Sequence, residues 1–558
     1  RSYEKKSIGK RGQIIDRNNE LMATDVTGYN LFIDPYYISK EGDAELVSSS
    51  LSDAIPVFNK NDLLEKLSNT KRKYVPLLRK ISVNYPGISK FKKHKFLPAT
   101  IYYPDNQDPI ILKGVVLENI NIRSYPKRLL MSHVLGFVNA EGIGSGGIEQ
   151  KYNAYLKGKK GYRKTKRDAK GYEIYNAREI DDPPENGATI KLTIDQYIQQ
   201  KAEEQIYNIC AKYKAKAAWA IVQHIPTGEI LAMASYPTFD PNKYNKSPAE
   251  WRRNRVISMN YDPGSTLKAA LIALAIDHKI VNPDDEYWCE NGKWYHAGRY
   301  LNDHDPYGNL SVSDILKVSS NIGSAKIALK LGDEKLFDGF RLFNFGEKLN
   351  IELPGEENGQ LNPLQNWTKI SSSRIGIGQG ITTTGIQVLS MMSTIANDGK
   401  QMQPRIVKNI ISSDGEILLE NQPKIIGNPI SKETARTLQK MLINVVEDDE
   451  GTGGKARVKG YLVGGKTGTA QKAIPHSEGG GYYDKRFISS FVGFIPANNP
   501  QIAILVTADD PGITTSSGQK IKYYGGTVCG PAFKEIAEET VNYLRIPPEG
   551  KKIYITRD

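Results

Sequence analysis

The sequence predicts an α+β fold: an antiparallel sheet covered by helices, joined to an all-helical subdomain and preceded by an elongated β-rich module. Three observations carry this. Apolar residues recur at helical spacing from Ile194 through Ile198, Ala202, Ile206, Ile209 and Tyr213, and again at the end through Phe533, Ile536, Ala537, Val541 and Leu544. Strand-like runs lie inside these two helices, a pair near 220–236 and three more after 460. The stretch between the two groups of runs is largely helical, and such segregation is the pattern of α+β proteins.

Taken in order, Arg11-Gly-Gln-Ile-Ile-Asp-Arg17 and Leu21-Met-Ala-Thr24 alternate short apolar and polar pieces, as strands do. Residues 31–115 are polar and mixed, with one short helix at Leu63–Leu67, and read as a head inserted for binding or packing. Arg123-Ser-Tyr-Pro126 leads through His133-Val-Leu-Gly136 to the turn glycines of Gly142–Glu149. No strand–glycine–helix frame and no Gly-Lys-Ser/Thr follows, which excludes a phosphate loop. Lys157–Lys170 carries eight Lys or Arg in fourteen positions, either a solvated loop or a surface for an anionic polymer or lipid headgroup. The N-terminal module is placed at 1–188 and the second domain at 189–558.

Thr193-Ile-Asp-Gln196 has the form of a capping box opening the first helix of that domain. Trp219–Ile225, Pro226-Thr-Gly228 and Glu229–Tyr236 read as strand, turn and strand. Leu310–Leu331 is largely helical and contains the Ser319 turn. Gly376-Ile-Gly-Gln-Gly380 resembles a dinucleotide fingerprint only superficially; followed by Thr384-x-x-Gln387, it reads as a tight turn into a capped structural helix. Gly460–Gln471, Ile488–Pro496 and Gln501–Asp509 are the last three strands.

Tyr261-Asp-Pro-Gly-Ser-Thr-Leu-Lys268 organises the second domain. Pro263 and Gly264 break what precedes them, and the apolar run Leu267–Ile276 is that of a buried helix. Ser265 then lies at its first turn, with Lys268 three residues on and on the same face. An ammonium buried there is costly unless paired or neutralised. A neutral lysine beside a serine is a base beside a nucleophile. Ser-x-x-Lys alone occurs on many helices as a surface pair. Here two further motifs follow in order: Val318-Ser-Ser-Asn321, and Gly464-Gly-Lys-Thr-Gly-Thr469.

These residues permit acyl transfer. Ser265 is the candidate nucleophile and Lys268 the base, provided its pKa falls from ~10.4 towards neutral. Burial and a second cation, Lys466, are expected to lower it. Ser319 can pass the proton to a leaving amine, and the Asn321 amide can hydrogen-bond both lysine and substrate. Thr467, Gly468 and Thr469 form the substrate-binding strand, whose hydroxyls, with the Lys466 charge, suit a terminal carboxylate. Gly464, Gly465 and Gly468 are expected to leave the strand edge clear for a peptide added as a strand. The backbone N–H groups of Ser265 and Thr469 are the candidate oxyanion hole.

Composition limits the alternatives. The chain has 558 residues, a length for three or four domains, and a net charge of +13. The basic residues are spread out and no nucleic-acid-binding motif is present, so nucleic acid is not expected as a partner. The three cysteines, Cys210, Cys289 and Cys529, have no metal spacing and read as core filler. The seven histidines are isolated, and Asp303-His304-Asp305 reads as a polar loop. Neither a metal nor a cofactor is expected. No run of 18 apolar residues exists, so no membrane span is expected in the chain as it stands.

These motifs resemble the class B, monofunctional, penicillin-binding proteins. Tyr261–Lys268 is close to the family's Tyr-Glu-Pro-Gly-Ser-Thr-Phe-Lys, departing conservatively at Asp262 and Leu267. Arg11-Gly-x-Ile-x-Asp-Arg17, Arg123-x-Tyr-Pro126 and Gly147-Ile-Glu149 match its pedestal module. The resemblance implies the penicillin-binding transpeptidase fold and D,D-transpeptidation of peptidoglycan stem peptides. The serine takes the penultimate D-Ala, releases the terminal one and hands the acyl group to a neighbouring amine; β-lactams acylate the same serine. It implies a single-pass anchor in the cytoplasmic membrane with the catalytic domain outside the cytoplasm. The abrupt start at Arg1-Ser-Tyr-Glu-Lys-Lys reads as a chain trimmed of that anchor. A separate membrane glycosyltransferase and other division proteins are the implied partners. Ser-x-Asn at 319–321 resembles the division-specific members, whereas elongation-specific relatives more often carry Asp at the third place. The competing readings are a D,D-carboxypeptidase or β-lactamase using water, a non-catalytic divisome scaffold or β-lactam sensor, and an elongation-specific transpeptidase.

Overall fold

The computed structural model describes residues 2–92, 99–101, 109–167, 173–174, 179–474, 478–512, 518 and 523–548. A five-stranded antiparallel sheet centres the second half of the chain. Its order is Glu229–Tyr236, Ala217–His224, Ile502–Asp509, Tyr482–Ile495 and Gly464–Ala473. Its strands Ala217–His224, Glu229–Tyr236 and Ile502–Asp509 are buried along nearly their whole length because helices cover both faces; every residue of Ile502–Asp509 is buried. On one face, Gln196–Tyr213 and Gly530–Tyr543 pack Ile198, Ile206, Phe533 and Ile536 against Ala220, Val222 and Val506. On the other, Lys268–Asp277, Gly385–Ala396 and Lys432–Glu447 bring Leu271, Leu389 and Leu438 to Ile221, Val492 and Leu505.

The helical subdomain contains Val312–Val318, Asn321–Leu331, Asp333–Leu342 and Ser371–Ile375. Gln387 Oε1 accepts from the Thr384 N–H at 2.9 Å, as the capping signature there predicts. The signature at 193–196 is read differently by the fold. Asp195 caps the helix, accepting from the Tyr197 and Ile198 N–H groups, while the Thr193 hydroxyl donates to Ile230 O. A carboxylate nearer the helix displaces the hydroxyl because it is the stronger acceptor. Two strand bounds also shift: the edge strand begins at Gly464, not Gly460, and its neighbour begins at Tyr482.

The N-terminal part is β-rich as expected. Thr189–Leu192 pairs in parallel with Ile14–Ile15 and antiparallel with Val407–Ile411, so one sheet takes strands from both halves of the sequence. The three pedestal motifs meet at one carboxylate. Glu149, fully buried, accepts from Arg11 Nε and Arg123 Nε at 2.6 Å each and from the Tyr125 hydroxyl at 3.1 Å. The head holds three helices where one was predicted: Pro35–Glu41, Ala44–Ala54 and Lys60–Ser68. Asp34, Asp43 and Asn59 cap them through their side chains, and Val47, Leu51, Leu63 and Leu67 form a core of their own. Most of the basic run at 157–170 is a strand rather than a loop, Lys160–Arg167 pairing with Ser2–Ile8; residues 168–170 lie outside the described residues.

Candidate active site

The nucleophile turn is a 3₁₀ helix, Gly264–Leu267, running into Lys268–Asp277. Ser265 sits in its first turn, where backbone N–H groups have no intrahelical partner. The turn is clamped from two sides. The Gly264 N–H donates to Gly378 O at 3.1 Å, and a Cβ on Gly378 would lie 2.0 Å from Gly264 O. On the other side, a Cβ on Gly468 would lie 2.4 Å from Ser490 Oγ and 2.8 Å from Thr266 Cγ2. Gly464 and Gly465 likewise face the rings of Phe494 and Phe491. The glycines of the edge strand therefore make room for the protein's own packing. The expectation that they clear space for a peptide is corrected on that ground.

Lys268 is wholly buried. Its Nζ lies 2.7 Å from Ser319 O, 3.3 Å from Ser319 Oγ and 2.8 Å from Asn321 Oδ1. Burial pushes its pKa down to about 7, opposed by the Asp303 carboxylate. Holding it neutral at that pH costs roughly 5 kcal/mol. Leu271, Ile272 and Leu274, buried on the same helix, offset this with about 1.5–3 kcal/mol each. Lys466, also wholly buried, donates to Ser319 Oγ at 2.9 Å and to Thr467 O at 3.3 Å. Its pKa is pushed well down, first by burial and then by Lys268. Burial is the larger cause at both lysines, and because their repulsion is mutual it disfavours a second proton on the pair.

Ser319 owes its place to a break between two helices. It ends Val312–Val318 in the left-handed region at φ 64°, and the next helix starts at Asn321. A non-glycine residue there is uncommon and marks a position held by its surroundings. Asp303 does the holding. Its carboxylate accepts from the Asn321 N–H, from the Ile322 N–H at 3.0 Å and from the Ser320 hydroxyl at 2.6 Å. By sequence Asp303 is one residue of a polar loop, and nothing local distinguishes it from Asp305. Asn321 Nδ2 donates to Asn302 O at 2.9 Å, which aims its Oδ1 at Lys268.

Thr467 Oγ1 lies 3.0 Å from Thr452 Oγ1, and Thr469 Oγ1 accepts from the Gly525 N–H at 3.0 Å. The structure so brings Lys268, Ser319, Asn321 and Lys466 into one hydrogen-bonded cluster beside the Ser265 turn. Among the described residues Ser265 Oγ makes no hydrogen bond, so the predicted Ser265–Lys268 pair shares a helix start without a direct bond. Asp262 accepts from the Tyr482 hydroxyl at 2.6 Å, and burial raises it to about 6. No group of three metal-ligating side chains occurs among the described residues.

An edge strand with Lys-Thr-Gly, a Ser-x-x-Lys helix start and a Ser-x-Asn turn, gathered on a helix-covered antiparallel sheet, define a serine acyltransferase of the penicillin-recognising class. The chain belongs to the penicillin-binding protein transpeptidase family: residues 218–538 match the penicillin binding protein transpeptidase domain, and residues 6–192 the penicillin-binding protein dimerisation domain. It is 31% identical to penicillin-binding protein PbpB of Mycolicibacterium smegmatis, over 96% of this chain and 83% of that protein. It is 32% identical to stage V sporulation protein D of Bacillus subtilis, over 98% of this chain and 80% of that one. Identity to peptidoglycan D,D-transpeptidase FtsI of Escherichia coli K12 is 28%, over 97% and 84%. Penicillin binding protein 3 of Mycobacterium tuberculosis, solved with ampicillin, superposes with a TM-score of 0.74 at 25% identity, covering 98% of each chain.

Proposed function

We propose that the protein is a peptidoglycan D,D-transpeptidase acting through a Ser265 acyl-enzyme and inhibited by β-lactams. The observation that carries this is the convergence of Lys268 and Lys466 on Ser319, next to the Ser265 turn. Ser265 Oγ attacks the carbonyl of the penultimate D-Ala while neutral Lys268 takes its proton. The N–H groups of Ser265 and Thr469 receive the oxyanion. As the C–N bond breaks, the proton passes through the Ser319 hydroxyl to the departing D-Ala amine. An amine from a second stem then attacks the ester, giving its proton to Lys268 and returning one to Ser265 Oγ. Thr467, Thr469 and Lys466 hold the terminal carboxylate, whose charge favours the protonated form of Lys466 against the burial that disfavours it.

The relatives' names support the substrate, and the Ser319-x-Asn321 form supports a septal role. An N-terminal single-pass anchor, a glycosyltransferase partner and a division of the chain near 188/189 belong to the same proposal. Among the described residues no helix is long and apolar enough to cross a membrane. Mass spectrometry after penicillin treatment tests the centre of the reading: a stable adduct on Ser265 is expected, and an adduct elsewhere defeats it. Turnover of that adduct within seconds favours a β-lactamase. Because one relative is named for sporulation, depletion in growing cells separates the roles: filaments support septation, and normal division with defective spores opposes it.

A further inference from the structure

Asp262 stands directly before the nucleophile turn and is only 7% exposed. The backbone around it is pinned. Tyr261 and Thr383 exchange two backbone hydrogen bonds, at 3.0 and 2.9 Å, and Thr266 Oγ1 donates to Pro263 O at 2.8 Å. The Asp262 carboxylate accepts from the Tyr482 hydroxyl at 2.6 Å and from the Gly380 N–H. It has no ion-pair partner among the described residues. A buried carboxylate held by neutral donors alone is costly, and beside a nucleophile it is a candidate for a role in the chemistry.

Three segments meet at this carboxylate. Tyr482 opens the strand Tyr482–Ile495 and pairs with Ala473, at the end of the strand that carries Lys466–Thr469. Gly380 ends the turn whose Gly378 O accepts from the Gly264 N–H. Arg374, from the helix Ser371–Ile375, faces Tyr482 and donates to Gln379 Oε1 at 2.7 Å. Burial and then Asp262 raise the Tyr482 phenol, so it stays a donor. Asp262 thereby ties the nucleophile turn to the hairpin of the substrate strand.

That tie bears on the oxyanion hole, whose two donors sit on different segments. The Ser265 N–H belongs to the turn and the Thr469 N–H to the strand. Turn and strand are in contact: a Cβ on Gly264, at φ 57°, would lie 3.2 Å from Ala470 Cβ and 3.3 Å from Thr469 O. Both donors must reach one oxygen at about 3 Å, so a small slip of the turn along the strand weakens one of them.

We propose that Asp262 is a positioning residue for acylation: its carboxylate, held by Tyr482 and Gly380, sets the spacing between the Ser265 and Thr469 N–H groups. This role rests on Ser265 being the acylated residue of a transpeptidase. The proton on Asp262 decides the strength of the tie. As a carboxylate it accepts from both donors; protonated, it brings a third donor to the same place and loses the charge-assisted bond. Burial, opposed by Tyr482 and then Gly380, puts that change at about 6. Lys268 is moved by burial and Asp303 and not by Asp262, so its own pH limb cancels when two variants are compared as a ratio.

The test times Ser265 acylation by fluorescent penicillin across pH in the wild type, Asp262→Asn, Asp262→Glu, Tyr482→Phe and the double variant Asp262→Asn/Tyr482→Phe. The wild type is expected to outpace Asp262→Asn about tenfold above about pH 7, with the ratio falling towards one near about pH 5. Asp262→Glu should restore much of the rate and the same pH dependence. Tyr482→Phe, which removes a single hydroxyl, should show the same loss above about pH 7 and the same convergence below it, and carries the test if Asp262→Asn fails to fold. The double variant should be little slower than either single one, because both cut the same tie. A ratio of one throughout, or a ratio that stays constant with pH, overturns the proposal. Absence of Ser265 labelling in the wild type sinks the transpeptidase reading; labelling with a flat ratio sinks this inference alone.

Discussion

Lys268 and Lys466 share one hydroxyl: their Nζ atoms lie 3.3 and 2.9 Å from Ser319 Oγ. Two ammonium groups so close in a dry interior repel each other, and burial disfavours both charges. The pair therefore resists holding two protons near neutral pH, and the site carries a free amine able to accept one.

The pH profile follows from Lys268 at about 7. The neutral amine is the reactive form, so penicillin acylation should rise about tenfold per pH unit below that point and level off above it. Lys268→Ala should nearly abolish acylation with the fold intact; normal labelling of that variant would remove Lys268 from the mechanism. Linkage has a definite sign here. Between about 7 and 10.5 the unfolded chain binds a proton at Lys268 that the folded chain does not, so this group makes stability rise with pH across that window. Thermal melts across that range check it.

Asp303→Asn should act twice. It weakens the caps on Asn321 and Ile322, costing about 1–2 kcal/mol of stability. It also removes the charge that holds the Lys268 pKa up, so the acylation limb should move to lower pH. A slower enzyme with an unmoved limb would leave Asp303 a purely structural role.

Gly378 and Gly380 make a matched pair, with φ of 79° and 72°. An alanine Cβ at 378 would lie 2.0 Å from Gly264 O, whereas at 380 nothing lies within 4 Å. Gly380→Ala should cost only the left-handed strain, about 1–2 kcal/mol, with acylation retained. Gly378→Ala must push the nucleophile turn and should cut the acylation rate far more. Equal rates in the two variants would show that the Gly264–Gly378 contact does not position Ser265.

Glu149→Gln should leave two arginines buried around a neutral amide. Breaking such a buried network costs about 3–5 kcal/mol, read as a lower melting temperature. Ser265 labelling at low temperature should persist, because Glu149 touches no residue of the site.

Much of this was legible in the chain. The apolar run after Leu267, the strand pair around Pro226 and the closing helix are local patterns, and a local pattern needs only neighbouring residues to be read. The motifs at 265, 319 and 466 were legible because each is a short run of fixed spacing. The head was misread because its helices are short; the signals were the caps Asp34, Asp43 and Asn59, which mean little without the core they dock on. At 193–196 two acceptors competed for one helix start, and only geometry chose Asp195.

By itself, then, the sequence determined which groups are present: a hydroxyl and an amine three residues apart on a buried helix start, a polar turn, and a lysine on an apolar strand. Tertiary structure alone decided how they meet. It set Asp303 against the helix at Asn321, gave the edge-strand glycines to internal packing, and brought Lys268 and Lys466 to one hydroxyl. The reason is physical: pKa and hydrogen bonding depend on burial and on charges a few ångströms away, and those neighbours come from segments far apart along the chain.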